Sequence, residues 1–154
     1  MLWPRGGSSS TVTRNSRAWR RARSRVGSVV AASGDASGRL AAGAMWVQTQ
    51  PVYDLDVLDR FLARVGHLAV PVVVGILPLH SFRHAEFLHN EVPGITVPEE
   101  IRRRLREAGD HALRVGIETA QAILAEVRRR YAGAYLMPSF GRFEVVAEVL
   151  EAVR

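Results

Sequence analysis

Gln48 and Gln50 stand two residues apart in the stretch AMWVQTQPVY, and three histidines, His80, His84 and His89, follow within LHSFRHAEFLHN. On an extended strand, residues two apart project to the same side, so the two amides share a face. A primary carboxamide offers one acceptor and two donors, a match for the paired donor and acceptor edge of a heterocycle such as a pterin. An amide turned inward without partners costs roughly 1–3 kcal/mol, so each one needs neighbours, water or a ligand. Gln48 reads as an amide satisfied by neighbouring side chains or water, and Gln50, nearer the strand end, as the amide that meets a ligand. His80 and His84 have the i, i+4 spacing of a metal-binding pair. Ser81, Phe82 and Arg83 lie between them, however, so the glutamate of the H-E-x-x-H zinc motif is missing and no third ligand is evident. No metal site is expected, and His84 reads instead as a pocket residue in the first turn of a helix. The chain has no Walker loop, no G-x-G-x-x-G and no G-x-S-x-G, which leaves nucleotide hydrolysis, a dinucleotide fold and serine hydrolysis without a motif.

The elements that must carry these residues alternate between strand and helix from Leu40 onward. AMWVQTQPVY (44–53) is a strand, and Asp54 caps a helix with Leu58, Phe61, Leu62 and Val65 on one face. LAVPVVVGIL (68–77) is nearly continuous in branched apolar residues, as parallel strands covered on both faces are, with a ladder that begins at Pro71. Ser81 caps a helix to about Glu91, which VPG (92–94) stops. Pro98 opens a helix with Glu99 and Glu100 in its first turn. A longer helix places Leu113, Ile117, Ala120, Leu124, Val127 and Tyr131 on one face and ends in three arginines. AYLMP follows Gly133 as a third strand, and Ser139 starts a final helix through Phe143, Val146 and Leu150. Three βα units of this kind imply a parallel sheet, either open and doubly wound or part of a (β/α)8 barrel, and in both the ligand sits at the carboxyl ends of the strands. Pro51, Pro78 and Pro138 each terminate a strand there, directing the next residues outward. Gln50, His80 and Ser139 are therefore expected at one rim.

Composition bounds the rest. The 154 residues are 47% hydrophobic, enough for one core. Residues 1–39 hold 8 basic and 1 acidic residue, net +7, whereas 40–154 hold 13 and 14, net −1. The excess charge thus belongs to an Arg- and Ser-rich segment without apolar period, read as a disordered leader over 1–39. A nonnative leader is the favoured account of it, ahead of an organelle transit peptide or a nucleic-acid-binding arm. All 21 basic side chains are arginine, which fits a GC-rich coding sequence better than a demand for guanidinium. There is no cysteine, hence no disulfide and no thiolate chemistry, and the longest apolar stretch is far short of the roughly 20 residues that span a bilayer. No membrane helix is expected, and the location expected is cytoplasmic.

AGAMWVQTQPVYD, VGILPLHSFRHAEFLHNEVPGITVPEEI and GAYLMPSFGRFEVVAEVLE, in this order, resemble the carboxyl-terminal part of methylenetetrahydrofolate reductases over about residues 40–154. AEFLHNEVPGI is similar above all to the bifunctional type fused to a homocysteine S-methyltransferase. The resemblance implies the last three βα units of a (β/α)8 TIM barrel that holds FAD. It implies a flavoenzyme of one-carbon and methionine metabolism that takes a hydride from NAD(P)H and reduces 5,10-methylenetetrahydrofolate to 5-methyltetrahydrofolate. Gln50 falls on the family's TQ glutamine, which contacts the folate pterin, and His84 on a position where relatives carry a glutamine lining the substrate pocket. The family's acidic residues and most of its FAD contacts come from earlier strands, so the resemblance marks a truncated member, inactive alone. A noncatalytic piece that completes a barrel with a second copy or with a missing half is the alternative reading, and an Arg-tail nucleic-acid binder ranks last.

Overall fold

The computed structural model describes residues 29–30, 45–64 and 70–153. Its four parallel strands lie side by side in chain order, β1 (Val29–Val30), β2 (Val47–Pro51), β3 (Val72–Ile76) and β4 (Gly133–Leu136). An order that never reverses is wound in one direction, as in a (β/α)8 barrel, whereas a doubly wound sheet turns back at a switch point. The choice left open by the strand–helix rhythm is thus decided, and the fold is α/β with the layout of part of a barrel. β1 was not expected. Val29 and Val30 lie inside the segment read as a leader without structure, yet they pair with Val47 and Gln48. Two β-branched residues on an existing edge need no apolar period of their own to form a ladder. The rest of that leader, like Val65 and Gly66 at the end of the first helix, lies outside the described residues.

β3 is the buried centre, with all five residues covered. Val72, Val74 and Ile76 join the helices in the main core, while Val73 and Gly75 alternate with them. Pro71 precedes the ladder, as expected, and its carbonyl accepts from the Val47 N–H at 2.9 Å. Helix α1 (Leu55–Arg64) starts on Asp54, whose Oδ1 accepts from the N–H groups of Asp56 at 2.9 Å and Val57 at 3.2 Å. Helices α2 (Phe82–Glu91) and α3 (Glu99–Ala108) fill the crossover after β3 before the long helix α4 (Ala112–Arg130) returns to β4. Ser81 caps α2, its Oγ accepting from the His84 N–H at 3.1 Å. Pro98 sits one position earlier than expected, as the N-cap of α3, with an extended ψ of 144°.

The expected stripe of α4 is the observed one: Ile117, Ala120, Leu124 and Val127 are buried, with Leu113 and Tyr131 partly buried against them. The final helix differs. Ser139–Gly141 forms a 3-10 turn in which Phe140 (φ 52°) and Gly141 (φ 75°) take left-handed backbone, so the α-helix, α5, spans only Phe143–Glu151. In it Val145 and Val149 are the buried side chains, and Phe143 and Leu150, expected inside, are 72% and 40% exposed.

One contact fixes α4 against the sheet. An ideal Cβ at Gly116 would lie 1.7 Å from the Leu79 carbonyl oxygen, so the second turn of α4 rests directly on the backbone just beyond β3. Gly116→Ala should therefore destabilise the fold by at least about 2 kcal/mol, because backbone and not a flexible side chain must move. Gly133, with nothing within 4 Å of an ideal Cβ, is the control: Gly133→Ala should change stability by no more than about 0.5 kcal/mol. Urea unfolding of the two variants checks both expectations.

Candidate functional site

At its carboxyl end β2 departs from regular pairing. Gln48 pairs with Val73 but Pro51 with Gly75, so Thr49 and Gln50 together oppose one residue of β3. Such a bulge cancels the strict two-residue alternation that placed Gln48 and Gln50 on one face. At the bulge Thr49 Oγ1 accepts the Gly75 N–H at 2.9 Å and donates to the Gln50 carbonyl at 2.7 Å. A side-chain hydroxyl thus stands where a ladder carbonyl would be. Tyr135 of β4 completes the arrangement by donating its hydroxyl to the Thr49 carbonyl at 2.6 Å. Burial raises the phenol's pKa, and a hydrogen bond with the Gln48 side chain opposes that rise. Gln48 thus has a neighbouring side chain as a partner.

The Gln50 side chain goes elsewhere. An ideal Cβ on Gly94 would lie 2.9 Å from Gln50 Oε1, so the turn after α2 comes back to the end of β2 and its bare glycine covers the amide. Gly94 has φ 85°, a conformation that suits glycine, and leaves room for the amide only while it lacks a side chain. The turn is held by its neighbours. His89 Nδ1 accepts the Val97 N–H at 3.2 Å, and Arg102 of α3 bridges to Glu86 of α2 at 2.8 Å and to Glu99. Arg106 lies over the Phe82 ring, 4.4 Å from its centroid. His89 is thus a structural residue, and the segments TQP and NEVPG meet in space.

The other two histidines form a pair. The His80 and His84 rings stack with centroids 4.2 Å apart, and Phe140 contacts them edge-on at 5.1 and 6.0 Å. Phe140 itself is 82% exposed on left-handed backbone, a conformation that for an aromatic residue costs about 1–3 kcal/mol. Ser139 is buried and donates to the Pro78 carbonyl at 2.9 Å, which ties the end of β4 to the end of β3. His80 Nε2 is buried without a hydrogen-bond partner among the described residues. His80 and Ser139 therefore emerge at one rim, and Gln50 ends its strand at the same pole, as expected from the three prolines. Among the described residues there is no group of three or more His, Cys, Asp or Glu side chains that could hold a metal ion.

Burial, followed by the neighbouring His80, pushes the His84 imidazole down to about 4. Burial and then the positive charge of Arg142 lower His80 as well, against a backbone hydrogen bond that raises it. Both rings are neutral at pH 7, and they act as hydrogen-bonding groups and not as cations. The polar groups at the rim, an amide and two neutral imidazoles, suit the edge of a heterocycle. They do not make a cradle for a flavin dinucleotide. The gap beside Gly75 is filled by the Tyr135 hydroxyl and the Gln50 carbonyl, and Arg102 and Arg103 are committed to Glu86, Glu99, Glu100 and Glu107. Tyr135 and Thr49 escaped the sequence reading, since their partners lie on other strands.

The family model described as methylenetetrahydrofolate reductase matches residues 31–152, beginning earlier than the resemblance over 40–154. No curated protein matches the chain. Among solved structures, the chain is similar to an uncharacterized protein from Clostridium thermocellum that binds two copies of 5-methyl-5,6,7,8-tetrahydrofolic acid. The TM-score is 0.55 at 19% identity, covering 75% of this chain and 44% of that one, so the likeness is one of fold over under half of the neighbour's length. No helix among the described residues is long and apolar enough to cross a membrane.

The low proton affinity of His84 sets a pH dependence. In the unfolded chain a histidine takes up its proton near 6.5, whereas the folded His84 refuses it until about 4. The unfolded state then binds more protons between these values, so stability is full above pH 6.5 and falls as pH drops toward 4. Chemical denaturation at pH 7.5, 6, 5 and 4.5 should show this decline, with a shallower slope in His84→Gln, which cannot titrate.

Proposed function

Because this chain belongs to the methylenetetrahydrofolate reductase family, we propose that its strand ends form the folate-facing rim of such a reductase site. The observation that carries the reading is the Gln50 amide, turned out of the ladder by the Thr49 bulge and set against the bare backbone of Gly94. That amide can give and accept a hydrogen bond on one side of a flat heterocycle, the pattern that the pterin of a folate presents. His84, kept neutral by burial, adds a second group at the same rim without adding charge. The buried Nε2 of His80 has no described partner and gains one when a polar ligand arrives. The folate bound by the Clostridium thermocellum neighbour, which shares the fold, supports the ligand class.

The wider activity in this proposal is FAD-dependent reduction of 5,10-methylenetetrahydrofolate to 5-methyltetrahydrofolate with NAD(P)H as hydride donor. The described residues contribute substrate recognition to it, and no step here passes through the flavin, which their donor set does not hold. Catalytic turnover accordingly requires residues beyond this rim, and the purified chain is expected to carry no stoichiometric flavin absorbance. The outer edges of β1 and β4 pair with no strand among the described residues, which is where a second copy or another part of a barrel would join. The reaction implies a cytoplasmic setting.

Titration of the purified chain with 5-methyltetrahydrofolate, followed by calorimetry, tests the reading. Binding is expected, and Gln50→Ala should weaken it by about 10-fold or more, the worth of one or two lost hydrogen bonds of roughly 1–2 kcal/mol. His84→Gln, which restores the amide expected of relatives, should retain binding. No binding by the unaltered chain, or equal binding by Gln50→Ala, would sink the proposal.

A further inference from the structure

Tyr135 is partnered with Gly75 in the β3–β4 ladder, yet its hydroxyl does not stay on that pair. It reaches past Gly75 and donates to the Thr49 carbonyl of β2 at 2.6 Å. The route exists because residue 75 has no side chain: an ideal Cβ there would come within 2.9 Å of both the Tyr135 hydroxyl and the Gln50 carbonyl. On β2 the same stretch is gripped a second time, by the Gly75 N–H on Thr49 Oγ1 at 2.9 Å. Thr49 Oγ1 passes the contact on to the Gln50 carbonyl at 2.7 Å. Carbonyl and hydroxyl of Thr49 are therefore both engaged, from two different strands, at the residue directly before Gln50. The Gln48 side chain is a further hydrogen-bond partner of the Tyr135 hydroxyl.

We infer that Tyr135, acting through Thr49 across the gap at Gly75, is a positioning residue that fixes the bulge of β2 and thereby aims the Gln50 amide at the Gly94 turn. This assignment deepens the folate-rim reading and rests on it for the identity of the ligand, though not for the positioning itself. A regular strand would return Gln50 to the face of Gln48, and the same amide would then lie inside the sheet instead of under the turn. Removing the phenol hydroxyl leaves the ring and its packing, so the effect on Gln50 separates from any loss of core.

Two measurements on the full chain test this. Side-chain amide signals of Gln50 in a 15N-labelled sample should shift in Tyr135→Phe and in Thr49→Val, and the Gly75 amide should exchange faster with solvent in both. Thr49→Ser, which keeps the hydroxyl, should restore the original signals. Unchanged Gln50 signals in Tyr135→Phe would overturn the inference whether or not a folate binds. The second measurement is a double-mutant cycle with 5-methyltetrahydrofolate. Tyr135→Phe should weaken binding about fivefold to tenfold in the natural background, the scale of one hydrogen bond, and have no further effect once Gln50→Ala is present. Equal losses in both backgrounds would show a general structural role and overturn the inference. Shifted Gln50 signals with no folate binding by the unaltered chain would uphold the positioning while defeating the folate reading, so the two failures are distinguishable.

Discussion

A missing side chain near the end of β3 is the constraint on which the rim depends. Where Gly75 leaves space, the phenol of Tyr135 spans from β4 to β2, and the hydroxyl of Thr49 takes the place of a ladder acceptor. Each of these bonds is worth only about 1 kcal/mol net. Together they convert a regular strand end into a bulge, and the bulge decides which way one amide faces. The carboxyl ends of parallel strands carry function in this class of fold because the loops there are free to differ while the strands stay fixed. Here part of that variation is built into the last turn of a strand.

The two imidazoles of the rim are neutral. Burial lowers the proton affinity of both, aided by Arg142 at His80 and by His80 at His84, while Arg102 and Arg103 of α3 are matched to glutamates of α2 and α3. Recognition at such a surface rests on the placement of donors and acceptors more than on attraction of opposite charge. The paired surface ions contribute little to stability individually. Their part is local: with His89 on the Val97 N–H, Arg102 keeps α2 and α3 at a fixed angle, so the Gly94 turn stays over Gln50.

Much of this was legible in the chain itself. The continuous branched run of β3, the Asp54 and Ser81 caps and the stripe of α4 all follow from short-range periodicity and capping chemistry, and each appears where expected. The rim was legible too, because proline marks where a ladder stops. What escaped was nonlocal. The bulge in β2 depends on a tyrosine 86 positions away, and nothing between Val47 and Pro51 announces it. The left-handed backbone of Phe140 was equally hidden, since an aromatic residue is a poor candidate for that conformation. Beyond it α5 starts at Phe143 and buries Val145 and Val149, with Phe143 and Leu150 exposed. The pair Val29–Val30 shows that composition judges a segment as a whole and misses two residues that borrow an edge.

The seat of Gly116 on Leu79 has a mechanical meaning. The 19 residues of α4, about 28 Å long, form a strut with no compressible padding at its upper bearing. Its lower end passes through Tyr131 and Ala132 into β4, and Tyr131 and Arg130 are both moored to Asp59 of α1. With backbone seated on backbone, no side chain lies between α4 and the loop beyond β3 to take up a change in their spacing.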